Sequence, residues 1–76
     1  MNWRDYIHSD QAILVGKPTI KGTRISVELI LERLGDGWTI EQLLESYPHI
    51  TPDAIRACML FAADSIKRKS SYKLAA

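Results

Sequence analysis

The tightest constraint on this chain is the punctuation of its second half, where three apolar stripes of helical period follow one another with few residues between them. Val27, Ile30, Leu31 and Leu34 fall at i, i+3, i+4 and i+7, the spacing that gives a helix one apolar face. Ser26 stands where an N-cap is needed, and Gly35 or Gly37 where the helix must stop. Ile40, Leu43, Leu44 and Tyr47 repeat the stripe. Thr39 and Gln42 form a capping-box pair at its start, and Pro48, which has no N–H to donate, ends it. Thr51 as N-cap, Pro52 at the first helical position and Asp53 against the positive end of the dipole open a third helix. Its core stripe reads Ile55, Cys58, Met59, Ala62 and Ile66. Only Pro48, His49 and Ile50 stand between the second helix and the cap of the third, so the two axes must cross sharply.

The first 25 residues lack this period. Ile13, Leu14 and Val15, then Thr19 and Ile20, then Arg24 and Ile25 read as short extended runs, separated by Gly16-Lys17-Pro18 and Lys21-Gly22-Thr23. No GK[ST] lies between a strand and a helix, so Gly16 and Gly22 are not those of a nucleotide-binding loop and are explained as turn positions with φ > 0. The stretch reads as a small β-hairpin or β-arm. Trp3, Tyr6 and Ile7, ahead of it, supply either a further short strand or a cover for the core. The expected architecture is mainly α: an N-terminal β-arm over 1–25, a three-helix bundle over 26–69, and a frayed tail over 70–76, all one domain.

At 76 residues such a domain stands near the lower limit for folding without staples. Its single cysteine, Cys58, leaves it no disulfide, so self-association is the natural further support. One cysteine, and no apolar run approaching the span of a membrane, lead us to expect a cytoplasmic protein outside the membrane. The net charge of +1 conceals an uneven distribution. Residues 1–27 carry four cations and two acids, residues 28–64 seven acids against Arg33 and Arg56, and residues 65–76 four cations alone. The three segments thus hold +2, −5 and +4. Basic ends flank an acidic middle, a pattern that suits contact with an anion through the ends and opposes general polyanion binding by the helices.

Catalysis needs convergent titratable groups, and none is evident. Neither His8 nor His49 has a second donor at metal-ligand spacing, and Cys58 lies on an apolar stripe where a thiol behaves as a small hydrophobe. We therefore expect a non-enzymatic protein with no catalytic residue, metal or cofactor. Glu41 and Glu45 stand one turn apart as a solvated face or one awaiting a basic partner. Leu60 and Phe61 lie off the centre of the third stripe, where they either widen the core or form a dimer or partner surface.

Two short helices joined by a tight turn, with a third before them, match the arrangement that presents a helix N-terminus to the DNA major groove. Thr51 and Arg56 are the residues so presented. Beyond this pattern, the string "GKPTIKGTRISVELILERLGDGWTIEQLLESYPHITPDAIRACMLFAAD", residues 16–64, resembles the domain of unknown function 433 family of small antitoxin-like prokaryotic proteins. Gly16-Lys17-Pro18, Lys21-Gly22-Thr23-Arg24-Ile25, Val27, Gly37, Tyr47-Pro48 and Thr51 carry the likeness. The resemblance implies a β-arm followed by a homeodomain-like helix-turn-helix. It also implies the antitoxin side of a toxin–antitoxin pair, often beside a PIN-like nuclease toxin, with binding to operator DNA as a dimer. On that reading Lys17, Lys21 and Arg24 are phosphate or minor-groove contacts of the arm, while Thr51 and Arg56 belong to the recognition helix. The alternative for Lys21 and Arg24 is pairing with Glu28 or Glu32. The alternative for the whole chain is a protein-binding module that inhibits its partner without touching DNA, with Glu41, Glu45, Leu60 and Phe61 as its contacts.

Overall fold

A computed structural model describes residues 1–69; the tail expected over 70–76 lies outside the described residues. A 3₁₀ turn, Trp3–Asp5, leads into strand β1, Ile7–His8, and after a second turn, Leu14–Gly16, strand β2 follows at Thr19–Ile20. Helices α1, Val27–Gly35, α2, Ile40–Ser46, and α3, Pro52–Arg68, complete the described chain. The fold is mainly helical, a short antiparallel β-arm followed by a three-helix helix-turn-helix bundle.

Each helix begins where its side chains take over unsatisfied backbone donors. Ser26 Oγ accepts from the Leu29 N–H at 3.0 Å, and Thr51 Oγ1 accepts from the Ala54 N–H at 3.1 Å. The capping box before α2 is complete: Gln42 N–H donates to Thr39 Oγ1 at 3.1 Å, and Thr39 N–H donates to Gln42 Oε1 at 2.8 Å. Gly37, at φ 94°, turns the chain out of α1.

In the arm, Ile7 pairs with Ile20 and His8 with Thr19. Ile7 and Ile20 therefore point to one face, where both are buried against Val27, Ile30, Leu43, Ile50, Ile55 and Cys58. The run Ile13-Leu14-Val15 is extended only at Ile13 and forms no strand. Asp10 folds it over: Ala12 N–H donates to Asp10 Oδ1 at 2.9 Å and Ile13 N–H to Asp10 O at 2.8 Å. Leu14, Val15 and Gly16 then wind left-handed, at φ 49°, 54° and 80°. The ladder ends at His8 and Thr19, so this run has no strand to join, and its backbone is satisfied within turns instead.

The register of α3 also differs from the expected stripe. Ala54, Ile55, Ala57 and Cys58 are buried, whereas Met59 is 41% and Ile66 57% exposed. The cause is the arm. Trp3 and β1 pack on α3 in addition to α1 and α2, so the helix is covered by the arm as well as by its neighbouring helices and its buried arc takes in Ala54, Ala57 and Phe61. Phe61 accordingly widens the core, edge-on to Trp3, while Leu60 stays 43% exposed. Ile40, expected in the core, lies on the surface of α2.

Candidate functional site

The arm and the start of α3 meet. Lys21, at the end of β2, donates its backbone N–H to Tyr6 O at 2.8 Å, which ties the following turn to the N-terminal segment. That turn is rigid: Thr23 Oγ1 donates to Ile20 O at 2.8 Å and accepts from Ile25 N–H at 3.0 Å. Gly22 sits at φ 79° with open space where a Cβ would be, so conformation alone demands glycine. Lys21 and Arg24 are exposed on either side of it.

Lys21 lines a cavity of about 230 Å³ together with Asp5, Tyr6, His49 and Thr51. Residues 30 positions apart in sequence thus border one depression, with the capped N-terminus of α3 on one wall and the arm on the other. The turn before α3 is held by Ile50, which is buried and whose N–H donates to Tyr47 O at 3.1 Å. Thr51 Oγ1 is engaged as a cap acceptor, leaving its hydroxyl proton to donate outward.

The remaining expected contacts lie apart from this depression. Lys17 pairs with Glu28 at 3.2 Å on an exposed surface, so a cation of the arm does neutralise the start of α1, the role that the alternative reading gave to Lys21 or Arg24. Arg56 is bonded to Asp53 at 2.6 Å, both exposed, and the pair presents little net charge. Beyond it, the outer face of α3 becomes apolar through Met59, Leu60 and Ala63. Glu41 and Glu45 are exposed along α2.

One polar centre escaped sequence reading. Asp64 Oδ2 accepts from Trp3 Nε1 at 3.2 Å and lies 3.3 Å from Arg68 Nε and 3.7 Å from Arg4 Nη2, and Arg4 stacks over the Trp3 ring at 4.4 Å. It fastens the N-terminus to α3 across 61 positions, beyond the reach of any local pattern. His8 faces Thr19 across the ladder. Cys58 is fully buried, and burial pushes its thiol up to about 12, far from a nucleophile's range. Among the described residues no three His, Cys, Asp or Glu side chains gather to hold a metal ion, and no helix is long and apolar enough to cross a membrane.

A β-arm joined to a helix-turn-helix bundle is the class this geometry defines. The family described as "protein of unknown function (DUF433)" matches residues 7–62, and the chain belongs to it. An uncharacterized protein, y4eO, of Sinorhizobium fredii (strain NBRC 101917 / NGR234) is 30% identical over 59 residues. That alignment takes in 78% of this chain and 27% of the relative, so the chain spans about a quarter of the relative's length. The crystal structure of a DUF433 member from Anabaena variabilis ATCC 29413 superposes with a TM-score of 0.74 at 23% identity, over 87% of this chain and 68% of the other. That likeness is one of fold.

Proposed function

We propose that this protein is the antitoxin of a type II toxin–antitoxin pair, which binds operator DNA through its helix-turn-helix and neutralises a PIN-like nuclease toxin. The observation that supports DNA binding most is the convergence of Lys21 and Thr51 on one depression at the start of α3. An ammonium and a hydroxyl there suit two oxygens of a phosphate backbone, with α3 directed at the groove beside it. Arg24, on the same rigid turn, extends the basic edge. The antitoxin role rests on the resemblance carried by the GKP and KGTRI segments.

The test is fluorescence anisotropy of the purified protein with the duplex from upstream of its own gene, titrated with salt. Binding that tightens as salt falls, and prefers this duplex to a scrambled one, is the expected result. Salt-independent or absent binding defeats the DNA half of the proposal.

A second reading, a protein-binding module without DNA contact, is favoured by a specific feature: beyond the internally paired Arg56, α3 shows solvent an apolar face at Met59 and Leu60. Such a face suits burial against a protein better than contact with a phosphate backbone, which calls for cations and hydrogen-bond donors. Co-purification of a nuclease partner that Leu60→Asp abolishes, with no DNA binding in either protein, is the outcome that would select this reading.

A further inference from the structure

We propose that the groove between α1 and α3 is a homodimer interface that receives the end of α3 from a second copy of this chain. A dimer is already implied by the family resemblance; the proposal assigns its interface and does not depend on DNA binding. The groove measures about 530 Å³, and Val27, Leu31, Phe61 and Ala62 form its apolar lining. Ile66, 57% exposed, lies at its edge. Ser65 borders it too, but its hydroxyl already donates to Phe61 O at 2.8 Å, so covering this residue leaves no donor unsatisfied.

Charge identifies the occupant. Glu28 and Glu32, one turn apart on α1, edge the groove together with Lys17; Lys17 pairs with Glu28, which leaves Glu32 as the rim carboxylate without a partner among the described residues. A fitting ligand is therefore an apolar helix with a basic end. The chain carries such a helix itself: Ile66 is followed by Lys67, Arg68 and Lys69. A two-fold interface requires one patch to complement itself, and here the exposed apolar residue that lines the groove, Ile66, belongs to the helix that bears the basic run. Crossing two α3 ends about a two-fold axis sets each Ile66 in the other copy's groove and brings each Lys69 toward the other copy's Glu32. Arg68 remains with its own Asp64. The small side chains of Ala62 and Ser65 allow the two helices to approach closely.

Sedimentation equilibrium of the purified protein alone, from low to high micromolar, tests this. The expected species is a dimer. Ile66→Asp, at a position open to water within one copy, should keep the far-UV circular dichroism spectrum of the folded chain and raise the dimer dissociation constant at least about tenfold. Glu32→Lys should also weaken the dimer, and adding Lys69→Glu should restore it, a rescue that general destabilisation cannot produce. A monomer at every concentration overturns the proposal. So does a dimer that Ile66→Asp leaves intact, or one that Leu60→Asp on the outer face of α3 dissociates. If Ile66→Asp unfolds the chain, the Glu32/Lys69 exchange decides alone, and absence of rescue overturns it. Because no DNA is present, failure here is separate from failure of the anisotropy test.

Discussion

Trp3 stands edge-on to Phe61, with ring centroids 4.9 Å apart and planes at 90°. This contact joins the third residue of the chain to the middle of α3, and the bond from Trp3 Nε1 to Asp64 at 3.2 Å fixes the indole in place. The arm is thereby part of the core. Trp3→Ala should lower stability by about 2 kcal/mol, through lost burial and lost ring contact. Phe61→Ala should cost about as much or slightly more. In a double-mutant cycle read by urea denaturation, the two should couple by about 1 kcal/mol. Additive losses would mean that the edge-on contact contributes nothing of its own.

Two turns make opposite demands on their residues. Val15 is β-branched, sits at φ 54° and is 85% exposed, so it bears left-handed strain without burial to offset it. Val15→Gly should raise stability by about 1 kcal/mol. Gly22, at φ 79° in open space, is suited to its turn as it stands, and Gly22→Val should lower stability by about 1–3 kcal/mol. Thermal melts of both variants check the pair of signs.

Cys58 carries a pH dependence whose direction is set by burial. Its thiol is pushed up to about 12 in the fold from an ordinary 9.0. Between these values the unfolded chain releases the proton and the folded chain keeps it, so the unfolded state binds fewer protons and stability falls as pH rises. The contribution is whole below pH 9.0 and is lost progressively toward about 12. Urea midpoints compared at pH 7 and above pH 9.0 should fall further for the wild type than for Cys58→Ala. The native thiol should also resist alkylation until the chain is unfolded.

Charge separates the DNA contacts. Lys21→Ala should weaken binding to all duplexes alike and reduce the salt slope by about one unit. Arg56→Ala, if the guanidinium leaves Asp53 to read a base, should cost about 1–3 kcal/mol on the operator and little on random DNA. Equal losses on both duplexes would make Arg56 a backbone contact. Anisotropy titrations on the two duplexes at several salt concentrations measure both effects.

The helices of this protein were legible because their boundaries are local. Ser26, Thr39 and Thr51 bond to backbone donors three residues away, and a single sequence holds both partners of each bond. Gly16 and Gly22 at positive φ were legible for the same reason. The basic turn around Gly22 and the capped start of α3 could likewise be found separately from their residue types. That Lys21 and Thr51 border one depression depends on β1 pairing with β2 and on the arm lying across α3. Only tertiary structure decides this, because such contacts join distant residues with no periodic signal between them. The same packing set the face of α3. Period alone places Met59 and Ile66 in the core when helices supply the only cover; with Trp3 and β1 also packed on α3, Ala54, Ala57 and Phe61 turn inward and Ile66 is left at the surface beside the groove.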